Sequence, residues 1–211
     1  MRMRTAALAI LALALAAMPA WADWENGPIN GTVNAWTINF GFLVSDSYLS
    51  DGSTVTGFMI GVWEFPGDTM TSLQWIISSG ENGGTLYGSG VASGKNLTDQ
   101  FISVNEYGYD IDKITVTGLN LTQQNGMTYW LTLQNAEVPS GNPVFWDQNG
   151  GIGCESKGCP ALASENALGS LPSEAFTINT GGTQTTPEPG SFMLFASGIL
   201  GLAGVLRRKL F

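Results

Sequence analysis

The chain has 211 residues, with eight Lys and Arg, seventeen Asp and Glu, no histidine and a formal net charge of −9. All four arginines stand near the two ends (Arg2, Arg4, Arg207, Arg208), so between Asp23 and Thr186 three lysines face the sixteen acidic residues left when Glu188 is set aside, a formal charge of −13. That balance offers no basic patch, so no nucleic-acid partner is expected; the lack of histidine removes Ser-His-Asp and Cys-His nucleophilic sites and the commonest zinc sites.

The first twenty-two residues read as a secretory signal peptide. Arg2 and Arg4 form a short positive region, Thr5 to Ala17 are almost entirely Ala, Leu and Ile, and Pro19 breaks the helix. Ala20-Trp21-Ala22 then supplies the small-x-small pattern for cleavage after Ala22. The apolar run is short for a membrane span, and an uncleaved anchor is the competing reading.

Residues 23–180 read as one all-β domain with length enough for a single core. Trp36, Ile38, Phe40, Phe42 and Val44 alternate with smaller or polar residues, which predicts one strand with a strongly apolar face. Ser53 to Trp63 is apolar on both faces and predicts a central strand. "SLQWIIS", "TLYGSGV", "DKITVTGLNL" and "TYWLTLQNA" follow, separated by turns such as Glu81–Gly84 and Gln123–Gly126. No convincing helical period occurs within the domain. Short strands with Gly-rich loops predict an antiparallel β-sandwich of jelly-roll type.

Within "TYWLTLQNA", period-two alternation sends Tyr129, Leu131 and Leu133 to the core and Trp130 to the other face, beside Thr128, Thr132 and Gln134. An indole among small polar side chains is suited to stacking on a sugar ring, so Trp130 and Trp146 are candidate glycan contacts. The alternative is that Trp130 packs beneath a loop or the second sheet, for instance against Trp146. Trp36, Trp63 and Trp75 lie on apolar faces and are expected in the core. No cofactor is expected; calcium is the one cation that Asp110 with Asp112, which share a strand face, or Asp147 in "DQNGG" could help bind. Cys154 and Cys159, flanked by Gly and Pro, predict a small disulfide loop in an exported protein.

A linker, 181–190, contains Pro187-Glu188-Pro189, whose two prolines hold the backbone extended and available to a protease. Residues 191–206 carry no charge; as a helix these sixteen residues cover about 24 Å, close to the bilayer core. Arg207, Arg208 and Lys209 in the basic tail, 207–211, form a stop that stays cytoplasmic and places the domain outside.

The order of Pro187-Glu188-Pro189, an apolar helix and Arg207-Arg208-Lys209 resembles the PEP-CTERM protein-sorting signal of exported proteins in polysaccharide-producing Gram-negative bacteria. The resemblance covers about twenty-five residues. It implies exosortase as a partner, transient or permanent residence in the inner membrane, and passage to the cell surface or beyond. "NGMTYWLTLQNA" followed by "FWDQNGG" is similar to a segment recurring in domains with this tail, and marks a domain type rather than a reaction. These readings lead to a non-enzymatic surface or matrix protein, structural or adhesive in the extracellular polysaccharide layer. A carbohydrate-binding module using Trp130 is the alternative, and a carboxylate-pair glycoside hydrolase is a third reading for which nothing singles out a pair.

Overall fold

The computed structural model describes residues 23–181. The signal segment with Ala20 and Ala22, Pro187, Glu188 and Pro189, the apolar span 191–206 and Arg207, Arg208 and Lys209 lie outside the described residues.

In chain order the strands are β1 (Trp24–Glu25), β2 (Asn34–Thr37), β3 (Leu43–Leu49), β4 (Val55–Glu64), β5 (Ser72–Gly80), β6 (Gly83–Ser93), β7 (Leu97–Val104), β8 (Asp110–Leu121), β9 (Thr128–Glu137), β10 (Phe145–Gln148), β11 (Ala163–Glu165), β12 (Gly169–Leu171) and β13 (Phe176–Thr180). One helical turn, Gly94–Asn96, joins β6 to β7. The first sheet runs β1-β13-β4-β10-β2, with β8 on the other edge of β4 and β7 beyond it; the second runs β12-β11-β3-β9-β5-β6. Every pairing is antiparallel. The described residues are thus an antiparallel β-sandwich, as the alternating apolar pattern predicts.

β4 is the central strand because both of its faces are covered. Phe58, Ile60 and Val62 point into the space between the sheets and are fully buried. On the opposite face Gly61 lets the chain before β2 lie close; a Cβ there would stand 2.7 Å from Ile29 and 3.1 Å from Asp147. Trp63, also on that outer face, is 6 % exposed because Tyr107 stacks on it at 5.7 Å. It is buried as expected, but under a loop rather than between the sheets.

The stretch from Ala35 to Val44 corrects the reading of a single strand. Phe40 and Gly41 both take positive φ, 54° and 86°, and the Phe42 amide donates to the Asn39 carbonyl at 3.0 Å. The chain turns there and passes from the first sheet to the second. Ile38 and Val44 stay in the core, whereas Phe40 and Phe42 are 63 % and 41 % exposed. Alternation survives the crossing because β2 and β3 both aim their apolar residues into the same inter-sheet space, so the pattern does not mark the change of sheet.

Candidate functional site

The outer face of the second sheet carries Trp130. Strand register sets the indole directly between Ser47 of β3 and Ser78 of β5, with Thr132 and Gln134 further along β9 on the same face. The expected parity holds: Tyr129, Leu131 and Leu133 are buried in the core and Trp130 is half-buried. The β5–β6 hairpin tip folds back over part of this face. Asn82 donates from its amide to Ser45 Oγ at 3.1 Å and from Nδ2 to Ser164 Oγ at 3.1 Å, while Ser45 and Thr132 hydroxyls bond each other at 2.7 Å.

Trp146 is corrected as a glycan contact. It is 0 % exposed, meets Phe176 edge-on at 5.7 Å, and its Nε1 donates to the Ala175 carbonyl at 3.0 Å. Its position opposite Val62 and Trp36 puts it on the inner face of the first sheet. No carbohydrate can reach it there, and it does not meet Trp130, which faces outward from the other sheet.

Cys154 and Cys159 form the expected disulfide, with Cα atoms 6.1 Å apart. The bridged loop clasps the start of the domain: Trp24 Nε1 donates to the Lys157 carbonyl at 2.9 Å and the Glu25 amide to Ser156 Oγ at 2.8 Å. Closing this loop therefore also fixes β1 at the sheet edge.

The carboxylates fall into two groups that composition alone does not distinguish. Asp110 and Asp112 do share a strand face, and the register brings Glu64 of β4 and Asp99 of β7 to it. Burial, with the charges of Asp99 and Asp112 next, pushes Glu64 up to about 8; burial raises Asp112 to about 7, with Asp99 and Asp110 adding. Asp147 is not in an open turn. It sits in β10, 0 % exposed, accepting from the Asn30 and Gly31 amides and from Trp63 Nε1 at 2.9, 3.0 and 2.7 Å. With three protein donors on its oxygens, it is a structural clamp on the loop before β2.

The second group joins the sheets inside the core. Asp46 of β3 and Glu174, just before β13, are both 0 % exposed. Asp46 accepts from the Ser47 and Glu174 amides, both at 2.7 Å, and Asn26 Nδ2 donates to Ser173 Oγ at 3.0 Å beside them. Sequence reasoning missed Asp46, Glu64, Asp99 and Glu174. The available signal was parity: Asp46 and Glu64 each fall on the apolar phase of their strands. Among the described residues, no three His, Cys, Asp or Glu side chains converge so as to hold a metal ion, and no helix is long and apolar enough to cross a membrane.

The described part is therefore an acidic, disulfide-bonded antiparallel β-sandwich with a half-open indole on one outer face. Beyond it, residues 185–209 match the PEP-CTERM protein-sorting motif. The chain thus carries the signal that exosortases recognise, one that implies export and processing at the C-terminus toward the cell surface. No match was found among curated proteins.

Proposed function

We propose that this chain is a non-enzymatic surface or matrix protein, sorted through its PEP-CTERM signal and processed by an exosortase, with a structural or adhesive role in the extracellular polysaccharide layer. The matched motif at 185–209 carries the reading. Its parts divide the labour: Pro187, Glu188 and Pro189 serve recognition, while the apolar residues and Arg207, Arg208 and Lys209 keep the chain at the inner membrane until it is processed. A domain with a disulfide suits the oxidising side of that membrane. The non-enzymatic part is supported by the absence of histidine and by the enclosure of the most perturbed carboxylates. Glu64 and Glu174 are both 0 % exposed, too enclosed for a sugar ring to approach as a hydrolase mechanism requires.

The test is mass spectrometry of the surface-exposed protein from cells expressing the native chain, Pro189→Ala or Glu188→Ala. The native protein is expected to lack the tail beyond the motif, and the variants to retain it and stay in the inner membrane. Variants that reach the surface with a normally processed tail would sink the sorting mechanism.

A second reading, a glycan-binding module, rests on Trp130. Its half-buried ring lies between Ser47 and Ser78, where a sugar could stack on the open part of the indole; the two serines themselves are buried and bonded within the protein. The two readings are compatible, since adhesion to a polysaccharide matrix is one way of acting within it.

A further inference from the structure

Four carboxylates crowd one end of the first sheet. Glu64 stands directly opposite Asp110, and Asp112 opposite Val62; Asp99 is opposite Ile114. Directly opposed residues of an antiparallel pair share a face. Val62 and Ile114 belong to the core, so all four acids point to the inner side of the sheet, where its edge meets the β4–β5 connection. That connection holds two of them: the Gly67 amide donates to Asp110 Oδ2 at 2.9 Å and the Met70 amide to Asp99 Oδ2 at 2.6 Å.

The other two are left differently. Glu64 is 0 % exposed and Asp112 4 %, yet among the described residues no hydrogen bond reaches either oxygen of Glu64 or Oδ2 of Asp112. Lys113, between Asp112 and Ile114, takes the opposite face and brings no positive charge to this side. Enclosing carboxylate oxygens without a donor or a counter-charge is among the costliest arrangements in a protein. A hard cation removes the cost in one step, because it matches both the charge and the oxygen lone pairs. Asp99 and Asp110 on the same face are half-exposed, so the enclosed pair lies next to residues that meet solvent.

We propose that Glu64 and Asp112 bind a calcium ion at this end of the sandwich, with Asp99 and Asp110 adding negative charge at its rim. Two carboxylates, completed by water and main-chain oxygens, fit calcium's flexible coordination of six to eight oxygens, whereas magnesium demands a near-ideal octahedron. A pair of protein ligands is also what this geometry offers in place of three converging side chains. An affinity of about 10⁻⁴–10⁻³ M is expected, as for extracellular calcium modules. The exported domain would then be tightened by calcium only once it is outside the cell. The inference does not depend on the sorting reading, and its test uses purified protein.

The experiment is thermal unfolding of the full-length chain in a mild detergent, in EDTA, in CaCl₂ and in MgCl₂ at the same concentration, with calorimetric titration of CaCl₂ alongside. Calcium at about ten times Kd should raise Tm by about 3–6 °C over EDTA, and magnesium by much less. Glu64→Gln and Asp112→Asn keep shape and remove charge, so each should fold in EDTA with a Tm no lower than the native chain and lose the calcium shift and the calcium heat. A native shift no larger with calcium than with magnesium overturns the proposal, as does a calcium shift that persists undiminished in both variants. If one variant fails to fold, the other decides.

Discussion

The main-chain amide of Glu174 donates to Oδ2 of Asp46 at 2.7 Å, joining the two sheets at a point where both side chains are 0 % exposed. The two acids are served unequally. Asp46 also accepts from the Ser47 amide, whereas among the described residues neither oxygen of Glu174 has a partner. Burial lifts both well above the ordinary carboxylate range, and the negative charges of Asp46 and Asp147 lift Glu174 further. Of the pair, Glu174 is therefore the one whose protonated form is the more favoured.

This gives stability a definite pH dependence. A carboxyl whose pKa is raised by folding contributes stability that is complete below the unfolded value and lost as pH climbs through the folded one. In EDTA, unfolding free energy should therefore fall as pH rises above the ordinary carboxylate range, by about 1.4 kcal/mol per pH unit for each such group. Glu174→Gln should remove one group's share of that slope. Urea melts at several pH values between 4 and 9 would show it, and an unchanged slope in the variant would assign the effect elsewhere.

Asp147 ties the loop before β2 to the sheet through two amides and the Trp63 indole. Asp147→Ala leaves these buried donors without an acceptor and should cost about 3 kcal/mol or more. Trp63→Phe keeps both amide bonds and should cost less. Denaturant midpoints of the two variants give the order; a smaller loss in Asp147→Ala would contradict the clamp.

Trp130 and Trp146 should separate cleanly on mutation. Trp146→Ala opens a cavity in the core beside Phe176 and should cost about 3–5 kcal/mol. Trp130→Ala should cost much less, since the ring is half-buried, and should abolish binding to the producing organism's polysaccharide if that face is a glycan site. Calorimetry with the polysaccharide together with a thermal melt reads both effects. Undiminished binding in Trp130→Ala would end the lectin reading.

The Cys154–Cys159 bridge closes a short loop, for which chain entropy gives about 2 kcal/mol. Reduction, or Cys159→Ser, should lower stability by that order without unfolding the sandwich, and should loosen β1 first, because Trp24 and Glu25 bond to the bridged loop. Hydrogen exchange at Glu25 against exchange in β4 is the measurement: equal acceleration in both would place the effect in the whole fold.

What local order records was legible. β4 and β9 follow from apolar runs with period-two parity, and that parity sent Trp130 outward and Tyr129, Leu131 and Leu133 inward. The β5–β6 turn around Asn82 follows from its residues, since φ is +51° there and Asn tolerates that conformation. The short strands β10 to β13 were not legible as strands, because three to five residues carry too little pattern and owe their pairing to partners far along the chain. "LTDQFISV" of β7 was missed for a related reason: it is an edge strand with Phe101, Ile102 and Val104 exposed, so it has no clear apolar face.

By itself the amino-acid sequence determined the parts read locally: a sorting motif, a strongly acidic domain without histidine chemistry, and cysteines close enough to pair. These depend on composition and on neighbours a few residues apart. Only the tertiary structure decided that the chain turns at Phe40 and changes sheet, that Trp146 belongs to the core while Trp130 stays half-open, and that Glu64 and Asp112 share an enclosed corner. Those outcomes depend on which strands pair and which face each presents, and long-range pairing places together residues whose spacing along the chain gives no hint that they meet.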